Sequence, residues 1–148
     1  MAATAWEFFN NFKSQLGSGA IDLTGTNTSY KMILLGSAST VESHVNDWNT
    51  YSSVNGELAT DNGYTQGGKA LTVNWSVKTT TSTFSWTFNT VAFTAGASSA
   101  LVNIKYALIM TATSSILVMY SKLSTAAIDL AAGQVINIYP NPVAFEFN

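Results

Sequence analysis

The sequence lacks cysteine and arginine, has two prolines and one histidine, and carries very little charge. Six lysines and eight acidic residues make up 9% of the chain, whereas a typical soluble domain devotes roughly a quarter of its residues to Asp, Glu, Lys and Arg. The absence of cysteine excludes disulfides and thiolate chemistry, as is typical of chains made in a reducing cytoplasm. The raw material for catalysis is therefore scarce.

Two classes of partner are also disfavoured. The net charge is −2 and the lysines are scattered from Lys13 to Lys122, so no basic patch is available to attract nucleic acid. Apolar runs such as Ala107–Met110 span four residues, far fewer than the ~20 that a membrane-spanning helix needs. The first residues lack the basic and apolar regions of a signal peptide. We expect no nucleic-acid partner and no membrane partner.

The residues that are abundant indicate a β-rich chain. Hydrophobic residues make up 47% of the sequence and aromatic residues 12%, which is enough for a sizeable core in one domain over residues 1–148. Polarity comes from 19 Thr, 17 Ser and 13 Asn, together a third of the chain. Thr favours strands, and Ser and Asn favour turns and strand ends.

One helix is predicted, over residues 3–17. Gly17 would end it, Thr4 and Glu7 resemble a capping box, and large apolar residues recur at helical spacing: Trp6, Phe9, Phe12 and Leu16. This aromatic face is heavy for a short helix. Two interpretations stay open, in which the helix packs on its own sheet or docks on a neighbouring subunit.

Beyond Gly19 the pattern changes to a period of two, which is typical of strands. One or two helical turns are predicted within 40–48, followed by a long polar loop over 49–69. The main strands are predicted over 71–148. Turns are predicted at 79–82 and around Pro140 and Pro142, with a bend near Asn89 and Thr90. Strands are predicted at 30–35, 71–77, 84–88, 91–93, 102–110, 116–120, 135–139 and 143–147, with 116–120 and 135–139 central. The fold class is an antiparallel β-sandwich or barrel of about seven to eight strands with one N-terminal helix.

Motifs for chemistry are weak. Residues 63–70 nearly match a phosphate-binding P-loop, but Ala70 stands where Ser or Thr would bind magnesium, and the segment leads into a strand instead of a helix. We interpret it as a glycine-rich turn. His44, the single histidine, is more typical of a surface or capping residue than of a catalytic triad.

The acidic residues do not form a recognisable site either. Only Glu57 and Asp61 share a loop, and with Asn55 and Asn62 they could offer oxygens to a cation, but the spacing does not match an EF-hand. We predict no catalytic residue, no cofactor and no metal site. Tyr51 and Tyr64, in the polar loop, are expected contact residues, whereas Trp75 and Trp86 lie on the apolar side of their strands and are expected in the core.

The order of these segments resembles a group of small virion proteins of tailed bacteriophages. The similarity rests on Phe9–Lys13, which reads Phe-x-x-Phe-Lys, on Lys31–Ser37, on Asn55–Glu57 and above all on Gly63–Leu71, which contains Gly-Tyr-Thr-x-Gly-Gly. The resemblance covers most of the chain and implies a head decoration or capsid cement protein.

The expected function that follows is a structural virion protein on the outer surface of the capsid, made in the host cytoplasm and without enzymatic activity. Its expected partners are the major capsid protein and its own copies, in a homo-oligomer. The candidate assembly contacts are Trp6, Phe9, Phe12, Tyr51, Tyr64 and Lys69. Two alternatives are a carbohydrate-binding β-sandwich that uses Tyr51 and Tyr64, and a structural component of the neck or tail.

Overall fold

The structure is a computed structural model that describes residues 5–26, 28–77, 83–140 and 143–146. The predicted turn at 79–82, Thr4 of the predicted capping box, Pro142 and Phe147 lie outside these residues. Within them, no helix is long and apolar enough to cross a membrane.

The described residues form twelve strands, one α-helix and two short 3-10 turns. In chain order these are β1 (Glu7–Phe8), α1 (Asn10–Gly17), β2 (Tyr30–Leu35), 3-10 turns at Val41–Ser43 and Tyr51–Ser53, β3 (Lys69–Leu71), β4 (Val73–Val77), β5 (Thr83–Phe88), β6 (Val91–Thr94), β7 (Leu101–Ile104), β8 (Tyr106–Thr111), β9 (Leu117–Lys122), β10 (Ile128–Leu130), β11 (Val135–Ile138) and β12 (Val143–Glu146).

All strand pairs are antiparallel. A five-stranded sheet has the order β1-β9-β8-β2-β3, a three-stranded sheet has the order β12-β5-β4, and two pairs, β10-β7 and β11-β6, complete the described strands. The predicted class, mainly β with antiparallel sheets and one helix near the N-terminus, is confirmed as a sandwich-like fold, with more and shorter strands than the seven or eight expected.

The core lies on the five-stranded sheet. Every residue of β8 is buried, as are all but one each of β2 and β9. Strands whose two faces are both covered read as continuous apolar runs, and this is why the predictions at 30–35 and 116–120 were accurate. The prediction that 135–139 is central is wrong, because β11 pairs only with β6 among the described strands and Val135 and Tyr139 are about half exposed.

The N-terminal helix is shorter than predicted. It begins at Asn10, and Phe9 before it has an extended backbone with φ −69° and ψ 141°. Glu7 and Phe8 pair with β9 instead, and the Phe9 amide donates to the Val118 carbonyl at 3.1 Å. The edge of β9 supplies hydrogen-bond partners that the first turns of a helix would lack, so sheet pairing replaces helix there.

An aromatic cluster holds the segment before β2 against the sheets. Trp86 is fully buried and its indole N–H donates to the Leu23 carbonyl at 3.0 Å. The Tyr30 hydroxyl donates to the Asp22 carbonyl at 2.7 Å, and its ring meets Trp86 edge-on with centroids 5.4 Å apart. The prediction for Trp86 is confirmed, whereas Trp75 is only half-buried.

One predicted bend corresponds to a real change of direction, and one change of parity was missed. The bend at Asn89 and Thr90 is where the chain passes from β5 to β6, in different sheets. Asn103 has a positive φ of 66° in β7, which reverses the alternation. Leu101 is therefore buried and Val102 is 49% exposed, the opposite of the predicted parity.

Candidate assembly surface

The aromatic residues of the predicted docking helix lie inside the chain. Trp6, Phe9 and Phe12 belong to the core, with relative exposures of 8%, 0% and 1%. Trp6 meets Phe88 edge-on at 5.4 Å between ring centroids, and Phe9 lies 5.8 Å from Tyr120. The interpretation that these side chains pack on the chain's own sheet is confirmed. The prediction that the three rings are assembly contacts with a neighbouring subunit is wrong, because they are buried in the core.

The polar segment 49–69 is an ordered cover for the open edge of β2. β3 pairs with the first half of β2, from Tyr30 to Met32. Further along, the Leu58 amide donates to the Leu34 carbonyl at 3.1 Å, and the Gly36 amide donates to the Gly56 carbonyl at 2.8 Å. An exposed strand edge invites pairing with other chains, so this segment protects the sheet and is not the free loop that its composition suggested.

Glu57 is the centre of this segment. Its carboxylate accepts hydrogen bonds from the Tyr51 hydroxyl, from the Tyr64 hydroxyl at 2.7 Å and from the Gly67 amide at 2.7 Å. The Tyr64 oxygen in turn accepts the Leu34 amide at 3.1 Å. A chain of hydrogen bonds therefore runs from β2 to the carboxylate.

This network keeps both tyrosines protonated. Burial, followed by the hydrogen bond to Glu57, raises the pKa of Tyr51 to about 12. The same two causes raise the pKa of Tyr64 further. Tyr64 is buried, and both hydroxyls are already bonded to Glu57. These two residues therefore do not form the exposed aromatic platform that the carbohydrate-binding alternative required of them.

The glycine-rich motif forms a turn within the segment 49–69. Asn62 and Gly63 both have positive φ, 52° and 91°, in a two-residue turn closed by reciprocal backbone hydrogen bonds between Asp61 and Tyr64. A Cβ on Gly63 would lie 2.2 Å from the Thr94 carbonyl oxygen. The interpretation of 63–70 as a turn leading into a strand is confirmed, since β3 begins at Lys69.

Lys69 is the one exposed residue of the six candidate contacts. Its ammonium donates to the Ala92 carbonyl at 2.7 Å and lies 5.2 Å from the centroid of the Phe93 ring. It therefore joins β3 to β6. Tyr51 is half-buried, and the other four are buried.

Two further glutamates repeat the tyrosine arrangement. The Tyr120 hydroxyl donates to Glu7 at 2.8 Å, and the Tyr106 hydroxyl donates to Glu42, which also pairs with Lys122 at 2.9 Å. The Tyr106 hydrogen bond, followed by that of Lys122, lowers the pKa of Glu42. Burial and the Glu42 bond raise the pKa of Tyr106 to about 12.

The described aspartates are engaged as well. His44 Nδ1 lies 3.0 Å from Asp47, and its ring stacks on Trp48 at 4.9 Å between centroids. The other three carboxylates accept backbone amides: Asp22 from Thr24 at 2.8 Å, Asp61 from Asn62 at 2.7 Å and Asp129 from Asn103 at 2.7 Å. Seven of the eight acids are thus bonded within the chain, and the eighth, Glu146, has no described side chain.

The oxygens considered for a cation do not converge. The Asn55 side-chain oxygen accepts the Thr40 amide at 3.0 Å, whereas Glu57 faces the tyrosines. Among the described residues, no group of three or more His, Asp or Glu side chains could hold a metal ion.

Among the described residues, the exposed large apolar side chains lie elsewhere, on β7, on β11 and directly after β11. Val102, Val135 and Tyr139 are 49%, 47% and 48% exposed. A shallow groove of about 230 Å³ runs between β10 and β11, lined by Ile128, Leu130, Val135, Ile136, Asn137 and Tyr139. We call Ile128, Val135 and Tyr139 the outer apolar patch.

Sequence reasoning missed this patch because 135–139 reads as a buried run. One signal could have revealed it: Pro140 directly follows the segment and Pro142 is two residues beyond. Proline cannot donate to a strand ladder and is confined to edge strands and strand ends. Among the described strands, β10 and β11 each have one hydrogen-bonded partner.

Comparisons of the chain with protein-family models, with curated proteins and with solved structures find no match. The function is therefore inferred from the residues and contacts described above.

Proposed function

We propose that the chain is a structural virion protein that decorates or cements a bacteriophage capsid by binding the major capsid protein and its own copies. The observation that carries this proposal is the outer apolar patch, whose Val135 and Tyr139 are about half exposed, on a chain with fourteen charged residues. Exposed apolar side chains grouped along one groove are a feature of a protein interaction surface.

The composition of the surface supports the same role. Interfaces are depleted of charge at their centre and enriched in aromatic anchors such as tyrosine. Immobilising a long, flexible side chain costs about 0.5–1.5 kcal/mol, so Thr, Ser and Asn are less costly to bury against a shell than Lys or Glu. Tyr139 offers an aromatic anchor, and its neighbours in the groove carry no charge.

The engaged carboxylates favour a structural role over an enzymatic one. General acid–base catalysis needs a titratable group that faces the substrate. Here Glu7, Glu42 and Glu57 each accept a tyrosine hydroxyl, and the bonds of Glu7 and Glu42 join distant parts of the chain. These acids stabilise the fold.

The test places charge on the patch. We expect Tyr139→Lys and Val135→Lys to reduce co-sedimentation of the protein with empty capsids of the phage that encodes it, because a lysine buried at an interface lacks a partner. Asn74→Lys is the matched control, since Asn74 is exposed on β4 and does not line the groove of the patch. Equal binding by all variants, or absence of the chain from purified particles, contradicts the proposal.

The same variants test self-association. Light scattering after size-exclusion chromatography should show a multimer for the unmodified chain and for Asn74→Lys, and smaller species for Val135→Lys. Thermal unfolding of each variant serves as the folding control, because Val135 and Tyr139 are half exposed and their replacement should change stability little. A multimer that survives both patch substitutions would place the copy-to-copy contact elsewhere.

A further inference from the structure

A second and larger groove lies between the end of α1, the segment before β2 and the strand β4. Its volume is about 490 Å³, within the roughly 300–1,000 Å³ that is typical of small-ligand sites. It is lined by Lys13, Leu16, Gly17, Ile21, Asp22, Leu23, Thr24 and Trp75. No residue of this groove belongs to the outer apolar patch.

Trp75 forms one wall of the groove and is held in place by the core. It pairs with Trp86 across β4 and β5 and packs against the buried cluster while staying half-buried itself. Leu16, Ile21 and Leu23 supply the other apolar surfaces. An indole fixed in this way offers a flat apolar wall at little cost in side-chain entropy.

Polar side chains complete the lining and carry opposite charges. The Lys13 ammonium donates to Asn10 at 3.1 Å and, having three N–H groups, can donate further. The Asp22 carboxylate is fixed by the Thr24 amide at 2.8 Å and the Thr24 hydroxyl at 2.7 Å. Because one positive and one negative group are present, the groove has no net preference for an ion of either sign.

The lining therefore calls for a neutral ligand with an apolar face and several hydroxyl groups. A purely apolar ligand would desolvate Lys13, Asp22 and Thr24 without replacing their bonds to water. A pyranose ring has C–H groups on one face, which pack on an indole, and hydroxyls at its edge, which can accept from lysine and donate to a carboxylate. The groove is open, so the ring can belong to a longer chain.

We infer that this groove binds a neutral pyranose unit of a polysaccharide, with Trp75 as the stacking wall and Lys13, Asp22 and Thr24 as hydrogen-bonding groups. This function goes beyond capsid decoration, and the site differs from the Tyr51 and Tyr64 region that the sequence suggested for carbohydrate. The two inferences stand on separate residues.

Gly17 provides a test that spares the fold. A Cβ built on Gly17 meets nothing within 4 Å, and its backbone is not in the left-handed region. Gly17→Leu therefore adds a large side chain at the wall of the groove without strain, and leucine is the better helix former. Ser14→Leu is the matched control, since it adds the same side chain to an exposed position of α1 that does not line the groove.

The probes are the methyl glycosides of glucose, galactose, mannose and N-acetylglucosamine, titrated separately against the full chain while the tryptophan indole N–H signals are followed by NMR. Trp75→Phe identifies the Trp75 signal. We expect at least one glycoside to shift that signal in a saturable way, and Gly17→Leu to weaken the binding by at least about tenfold, with Ser14→Leu unchanged. Lys13→Gln should weaken it less, and Lys31→Gln should have no effect.

Three results would overturn the inference. The first is that none of the glycosides shifts the Trp75 signal. The second is that the shift persists unchanged in Gly17→Leu, and the third is that the groove binds only the apolar dye anilinonaphthalene sulfonate. Capsid co-sedimentation of Gly17→Leu separates the two functions: normal capsid binding with lost glycoside binding supports a separate sugar site, whereas lost capsid binding makes the groove a protein contact and contradicts the sugar assignment.

Discussion

Replacement of Glu57 by alanine should destabilise the chain more than is usual for a half-buried residue. The change removes the acceptor of the Tyr64 hydroxyl, of the Gly67 amide and of the Tyr51 hydroxyl. Tyr64 is 3% exposed, so water cannot replace its lost partner. A buried polar group without a partner costs about 1–3 kcal/mol.

The half-buried positions of Gly67 and Tyr51 give them partial access to water, so we expect a total loss of about 3 kcal/mol in the free energy of unfolding. For a chain of this length, that corresponds to a fall of roughly 6–12 °C in Tm. Glu57→Gln keeps one acceptor oxygen and the shape of the side chain, and should cost about 1 kcal/mol. Chemical denaturation followed by tryptophan fluorescence measures the free energy of unfolding of both variants, and thermal unfolding measures their Tm.

Asp61→Ala is the matched control, because it also removes a carboxylate from the segment 49–69. The Asp61 side chain accepts only a local amide, from Asn62, at an exposed position, so its loss should stay within about 0.5 kcal/mol. Hydrogen exchange gives the location: the Gly67 and Leu34 amides should exchange faster in Glu57→Ala while the β8–β9 ladder is unchanged. Equal stability of Glu57→Ala and Asp61→Ala would refute the reasoning.

Three other measurements follow from the same contacts. Gly68→Ala should abolish folding or lower the free energy of unfolding by several kcal/mol, because φ is +73° and a Cβ would lie 2.0 Å from the Met32 carbonyl oxygen. A variant that unfolds at the same temperature as the unmodified chain contradicts this prediction. Glu42→Gln should lower stability at neutral pH but not in acid: the hydrogen bond from Tyr106 lowers the folded-state pKa of Glu42, so its contribution is present above the unfolded pKa and lost as pH falls through the folded one; a stability difference that persists at low pH contradicts it. Absorbance at alkaline pH should show Tyr51 and Tyr106 ionising near pH 12 in the folded state, above the usual value of about 10; ionisation at about 10 without unfolding contradicts it.

The sequence was most informative where one physical cause dominates. In 71–77 and 84–88 one side of each strand is covered, and the alternation of apolar and polar residues predicted both strands. The run 30–35 is covered on both faces and was predicted with its exact ends. Leu71–Val77 is divided only at Thr72, whose amide donates to the Asn89 side chain at 2.7 Å.

The errors arose where a long-range partner decides the outcome. The pattern from Trp6 to Phe12 fits a helix, but the edge of β9 captures Glu7 and Phe8. The run 135–139 fits a central strand, yet β11 has one neighbour among the described strands. Hydrophobic periodicity shows that a residue is apolar, but not whether another strand of this chain or of another chain covers it.

The polar segment 49–69 shows the same limit for a candidate site. Its Gly, Asn and Tyr content predicted a contact loop, with Tyr64 as a contact residue and Glu57 among the oxygens considered for a cation. The structure brings them together because β2 has an edge that β3 covers only in part. That need depends on the sheet order, which no local pattern contains, so Glu57 could not be identified from sequence as the centre of the network.

The scarcity of charge acquires a more definite meaning from these contacts. Three glutamates accept tyrosine hydroxyls and four aspartates hold amides or His44. The contacts of Glu7, Glu42 and Asp129 join segments far apart in sequence, and those of the other four acids hold local turns. Surface polarity then rests on Thr, Ser and Asn, which solvate a monomer less strongly than ionised groups do. A chain with this division of roles keeps its fold through internal charge and leaves an outer face that is inexpensive to desolvate. Such a face suits permanent contact with neighbours, and this is the physical argument for the proposed contact between the outer apolar patch and a capsid.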